Sequence, residues 1–349
     1  MKKLFPILLI FVLLGAGCSK ATTSKKADGG VWKTADQGKT WISSSVVPTA
    51  KGIGTLTTAN VITMEMDAQD NSMLYVGTRE DGFLYSDNAG TSWHQPRNRD
   101  LATGFIPSIQ VSAKDVCTLY VVRGPRLYKS TDCMRSFSSD TYVESRPKVE
   151  ISFVALDWFN PETVWLALSN GDLQKSMDGG KTWSTSLNVK DVMTKILISQ
   201  VDSRVMLIGT QKTGIQKTVD GGETWQKITD TSRESLLVGV NDLIQTKSSD
   251  TIFAATKYGL VRSTDFGDTW SPIKLVTAPG QVAIRAIGVD WFNPSKIFYA
   301  TTATFYQSSD AGVTWKTGKL PSARVPRAML VDPKLSSVIY LGAASEVKK

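Results

Sequence analysis

The sequence predicts an all-β chain folded as a seven-bladed β-propeller, with four antiparallel strands in each blade. Three observations carry that expectation. A short turn motif recurs seven times at a nearly constant period, a run with the composition of a buried strand recurs with it, and the two chain ends together supply one further blade.

The turn motif is clearest from Lys175 to Trp183, KSMDGGKTW. Asp178 is placed to accept hydrogen bonds from the amides of its own turn, and Gly179-Gly180 supply the positive φ that a tight hairpin needs. Ser176 and Thr182 flank it, and Trp183 opens the return strand with a large apolar surface. The copies are TADQGKTW, SDNAGTSW, STDCMRSF, SMDGGKTW, TVDGGETW, STDFGDTW and SSDAGVTW. Their last residues, Trp41, Trp93, Phe137, Trp183, Trp225, Trp270 and Trp315, are spaced 52, 44, 46, 42, 45 and 45 apart. Self-similarity at about 40–50 residues marks propeller blades or helical arrays. The Gly, Thr and alternating apolar content of each period disfavours helices.

The motif closely resembles the Asp box, S-x-D-x-G-x-T-W, of bacterial neuraminidase repeats. β-Propellers carrying it include sialidases, the sortilin ectodomain, xyloglucanases and photosystem II assembly factors. Two copies depart from the pattern: Asn88 replaces the Asp in the second, and Met134 replaces the second Gly in the third. The resemblance implies the fold; in that family the box is a structural turn and says little about function.

The second recurring element is MLYVGT, TLYVVR, VWLALS, VMLIGT, TIFAAT, IFYATT and VIYLGA, each with the length and composition of a buried strand. Four strands are read per period; in the first full blade they are VITMEMDA, MLYVGT, GFLYS and the strand carrying Trp93. After Trp315, 34 residues remain, enough for two strands but no further box, and residues 29–41 supply the missing 13. The last blade is therefore shared between the N- and C-terminal parts, and the ring closes without free sheet edges.

Residues 1–18 read as an export signal. Lys2 and Lys3 precede an apolar run from Leu4 to Leu14, shorter than the roughly 20 residues a membrane span requires. GAGC resembles a lipobox, which makes Cys18 the expected lipidation site; an ordinary secretory signal with an incidental cysteine is the competing reading. Residues 19–28 read as a polar, basic tether, and residues 29–349 as a single propeller domain. The expected location is the outer membrane in a Gram-negative cell, or otherwise the outer face of the cytoplasmic membrane.

The formal net charge is +8, and +6 once Lys2 and Lys3 leave. That excess suits anionic lipid, a cell-wall polymer or an acidic protein, and no nucleic-acid motif appears. The hairpin around Arg123–Arg126 brings Cys117 and Cys133 within reach of a disulfide, which an exported location permits; two buried free thiols are the alternative.

Little in the chain points to chemistry. His94 is the sole histidine and reads as solvated. There is no nucleophile elbow, metal-ligand spacing, calcium loop or phosphate loop, so no cofactor or metal is expected. A glycosidase needs two spaced carboxylates, or the Tyr–Glu pair of sialidases. Channel-mouth candidates are Glu150, Asp191, Asp242, Arg285 and Arg327, with Tyr142 and Glu144 nearby; their plainer reading is a polar channel lining. The repeated WFNP at Trp158–Pro161 and Trp291–Pro294 reads as packing between blades rather than an exposed patch.

The favoured reading is therefore a non-enzymatic, membrane-anchored platform, monomeric, that binds an envelope protein or anionic polymer. The alternatives are a carbohydrate-active enzyme or a glycan-binding lectin. In a propeller, the loops between strands two and three, and between blades, share one face. On it the first three blades gather Arg79, Arg97, Arg99, Arg123, Arg126, Arg146 and Lys148, the expected partner-binding sector. A planar guanidinium suits carboxylate and phosphate better than an ammonium does. A solvated surface of mixed charge is the competing reading.

Overall fold

The computed structural model of the chain describes residues 28–229, 236–247 and 249–346. The export signal, Cys18 and residues 19–27 lie outside the described residues. What is described is a ring of seven antiparallel sheets around a central channel.

The innermost strands are Val61–Met66, Ile109–Val111, Ile151–Leu156, Met193–Ile198, Asp242–Gln245, Ala286–Val289 and Val325–Val331. Behind each lies a second strand that the sequence marked as buried, and those of six blades, such as Leu74–Thr78 and Val164–Leu168, are buried at every position. Among the described residues there are seven apolar clusters, one at each junction between blades. One joins Tyr120, Val122 and Leu127 of the second blade to Ile151, Val154 and Leu166 of the third. Most of the core is thus radial: each sheet buries its faces against its two neighbours.

The ring closes as expected. Gly30–Thr34 pairs with Ile339–Ala344 on one side and with Ile42–Ser44 on the other, with Val31 opposite both Gly342 and Ser44. Asp28, assigned to the tether, is already docked: its carboxylate accepts from the Ala323 amide at 3.0 Å and faces Arg324 at 3.4 Å. The long first spacing has a structural origin. Val46–Thr49 and Gly52–Thr55 form an extra hairpin between the seventh blade and the first. In the first blade the fourth strand shrinks to a bridge between Tyr85 and His94.

The boxes are built as their residues dictate. Ser176 Oγ donates to Asp178 and accepts from the Gly180 amide, while Asp178 accepts from the Lys181 and Thr182 amides and the Thr182 hydroxyl. In the Asn88 copy the side-chain amide donates to Ser92, so the network survives the substitution. The two glycines do different work. The first position needs only a left-handed backbone, which Ala89, Cys133, Phe266 and Ala311 also adopt. The second must also be small, because a Cβ on Gly180 would lie 2.4 Å from Thr141 of the neighbouring blade. Met134, the exception, packs into the cluster between the first two blades.

Candidate functional site

Antiparallel succession puts the strand one-to-two loops and the Asp boxes at one end of the ring. The two-to-three hairpins and the connections between blades lie at the other, and the channel joins the two faces.

On the interblade face the expected sector separates into three groups. Arg97, Arg99 and Lys148 are exposed. Arg79 donates to the Ser345 carbonyl at 3.0 Å, Arg123 to Thr103 at 3.0 Å and Arg126 to Ser139 at 3.3 Å. Arg146 is committed within the molecule. It pairs with Glu144 at 2.8 Å and with Asp172 at 2.5 Å. Its hydrogen bonds hold the Glu144 carboxyl down at about 2. Arg146 therefore positions this corner of the surface and has little left to offer a partner.

The structure adds what the sector lacked. Burial, together with the charges of Arg285 and Arg79, lowers the pKa of Arg327, while Glu346, 3.9 Å from Arg285, pulls it back up, so the three arginines share this part of the face with one carboxylate. Among the described residues, the Nε atoms of Arg285 and Arg327 are buried without a hydrogen-bond acceptor. Arg285 and Arg327 were expected at the channel mouth, but nothing in their spacing joins them to Arg79.

The channel, about 450 Å³, is lined by Glu65, Gln110, Lys195, Asp242 and Arg327 among others. Glu65 accepts from the Gln110 amide at 2.9 Å, and Lys195 Nζ lies 3.3 Å from Asp242. Burial pushes the Glu65 carboxyl up to about 7, against the pull of Lys195 and Gln110. Burial also works against the charge on Lys195, but Asp242 and Glu65 outweigh it. The remaining carboxylates considered for glycosidase chemistry go elsewhere. Asp191 accepts the amides of Val192, Lys212 and Thr213, Glu144 is held by Arg146 and Tyr142, and Glu150 is exposed. Among the described residues no cluster of potential ligands could hold a metal ion.

At the other mouth the two WFNP loops correct the packing expectation. Trp158 of the third blade and Trp291 of the sixth meet across the channel, ring centroids 6.3 Å apart. Phe159 and Phe292 beside them are 49% and 66% exposed. These aromatics close the channel mouth and stand out from it.

A family model described as photosynthesis system II assembly factor YCF48 matches residues 8–207 and 186–323. The chain belongs to the YCF48 family. The photosystem II assembly protein Ycf48 of Thermosynechococcus vestitus is 28% identical over 204 residues, covering 56% of this chain and 52% of that protein. The photosystem II assembly lipoprotein Ycf48 of Synechocystis is 32% identical over 120 residues, 34% of each chain. The chain thus spans about half, or less, of the curated relatives it matches. Among solved structures, YCF48 bound to D1 peptide superposes with a TM-score of 0.62 at 14% identity, covering 84% of this chain and 94% of that one. A GH74 enzyme of Niastella koreensis gives 0.66 at 15% identity, covering 90% and 53%. At such identities these superpositions speak to the fold alone. YCF48 membership makes an assembly or binding role the reading of first choice, and the Asp-box propeller expectation holds.

Proposed function

We propose that this YCF48-family chain is an exported, lipid-anchored and non-enzymatic platform that docks an acidic segment of a membrane-associated protein. In this reading residues 1–18 are the leader, Cys18 carries the lipid, and the propeller from residue 29 onward does the binding. The observation that carries it is the concentration of arginine on the interblade face. Arg97 and Arg99 stand exposed, and Arg79, Arg285 and Arg327 add three guanidiniums to the face against Glu346, the Nε atoms of Arg285 and Arg327 having no acceptor. Fork-shaped donors in that state suit carboxylates. The name of the Synechocystis relative, a lipoprotein, supports the anchor, and the D1 peptide held by another YCF48 supports a protein ligand.

The test uses Arg97→Glu and Arg99→Glu together, leaving Arg123, Arg126 and Arg146 in their structural bonds. Cross-linking in intact cells should lose its captured protein while the melting temperature stays within about a degree of the parent, as expected for surface changes. Equal capture at low and physiological salt would move the site elsewhere. For the anchor, Cys18→Ala should release the protein from membranes. For the proposed disulfide between Cys117 and Cys133, whose Cα atoms lie 3.9 Å apart, a non-reducing digest of exported protein should contain the linked peptide.

A further inference from the structure

The face opposite the arginines has its own construction. Six of the seven one-to-two loops begin with Asp or Ser whose side chain accepts backbone amides just ahead of it: Asp67, Ser112, Asp157, Ser199, Asp290 and Asp332. In five of them it takes the amides two and three residues on. With those amides turned inward, the residue at the tip projects from the ring. At the tips stand Phe159, Val201 and Phe292, with Leu335 one position further, between 49% and 66% exposed. The box turns of the same face add Met177, Val219 and Val313, between 62% and 77% exposed. With Val116, eight of the fourteen large apolar residues exposed among the described residues lie on this face. A chain that scattered such residues at random would not gather them at equivalent loop positions.

The charge here is opposite to that of the chain. The one-to-two loops and box turns hold eighteen Asp and Glu against eight Lys and Arg, in a chain of net charge +8. Even with the Lys33, Lys129, Lys175 and Lys217 ammoniums that reach into the box turns from the third strands, the acids exceed the bases by six. That sign repels anionic lipid headgroups and favours cationic partners. Part of the aromatic surface is also occupied: Trp158 meets Trp291, and Lys247 Nζ sits 5.0 Å over Trp291 and 5.3 Å over Phe292. A sugar stacking on Trp291 or Phe292 would have to share the ring with that ammonium. What remains is a set of apolar tips in an acidic field.

We propose that this face docks a basic amphipathic peptide segment, its apolar side chains against Phe159, Val201, Phe292 and Leu335 and its Lys and Arg toward the surrounding carboxylates. It is a second docking surface, independent of the arginine face.

The experiment measures binding of a labelled 18-residue amphipathic Leu/Lys peptide to the full exported chain. The comparison probes are a Leu/Glu peptide of the same pattern, phosphatidylglycerol vesicles and a xyloglucan oligosaccharide. Phe159→Ser with Phe292→Ser should weaken the Leu/Lys peptide by about tenfold or more. Glu162→Lys with Asp250→Lys should do the same at low salt. Arg97→Glu with Arg99→Glu should not weaken it, which separates this surface from the proposed arginine site. All three double variants should melt as the parent does. Unchanged affinity in the phenylalanine pair overturns the proposal. So does vesicle or oligosaccharide binding that depends on Phe159 and Phe292 while the Leu/Lys peptide does not bind.

Discussion

The two faces of the ring are made by different means. On the box face, almost every turn is closed by a side-chain oxygen accepting its own backbone amides, as in Asp178 and Asp157. On the interblade face the two-to-three hairpins also repeat, through Thr78, Thr210, Thr256 and Thr301 donating across the turn. The connections between blades do not. Four residues join Asn188 to Met193, whereas the path from Trp93 to Ile109 includes the short helix Arg99–Leu101 and its Asn98 cap. Repetition therefore sets the geometry of one face, and variation is confined to the other, where the exposed guanidiniums collect. Specificity can change on the second without loosening the first.

The largest way to break that arrangement is to remove what holds the ring closed. Deleting residues 29–41 takes away the strand between Ile339–Ala344 and Ile42–Ser44. Both faces should be lost together, with the calorimetric transition lowered by at least roughly 10 °C or no longer cooperative. A melt within a degree or two of the parent would refute closure by a shared blade. Next comes Trp183→Ala. Trp183 packs against the cluster between blades two and three, and its Nε1 donates to Thr141 across the junction at 3.0 Å. A loss of about 2–4 kcal/mol is expected by denaturant titration, against a smaller loss for Asp178→Ala, whose effect stays within one turn.

The channel sharpens the comparison through pH. The folded pKa of Glu65, about 7, lies above its ordinary 4.5. Its charged form is therefore disfavoured by folding, and stability falls as pH rises through that window and stays lower above it. Glu65→Gln should gain on the parent at pH 8, on the order of 1–3 kcal/mol, and not at pH 4. The box aspartates behave in the opposite sense. Hydrogen bonds from Thr40 and Thr314 hold Asp36 and Asp310 down at about 2. Their contribution is present above the ordinary carboxylate range and lost as pH falls through about 2. Asp310→Asn should flatten the acid limb of the stability curve slightly, the smallest of these effects.

Most of the fold was readable because the blade repeats its chemistry. The copy with Asn88 was readable too, since an amide replaces a carboxylate in the turn. The hairpin Val46–Thr55 was not, because it belongs to no repeat and shows only as an overlong spacing. The sites were harder for a geometric reason. Arg79, Arg285 and Arg327 come from three consecutive blades across the closure, and Trp158 meets Trp291 across the axis. Sequence spacing gives the blade and loop of each residue but not how far its side chain reaches over the channel. Arg146 shows the converse: its charge is visible in the sequence, whereas the two carboxylates that pair with it lie in different segments, one near and one distant.

The shared blade also imposes an order in time. Gly30–Thr34 is made early in synthesis, yet its partner Ile339–Ala344 comes almost a full chain later. Closing so long a loop is only modestly unfavourable at equilibrium, since each doubling of length adds about 0.6 kcal/mol. It is slow to find, because distant pairings form late. Until then the first strand of the domain, paired only with Ile42–Ser44, has one open edge, vulnerable to proteases and to other nascent chains. The ring thus acts as a proofreader of completeness: a truncated or stalled chain cannot latch, and only a finished one is protected.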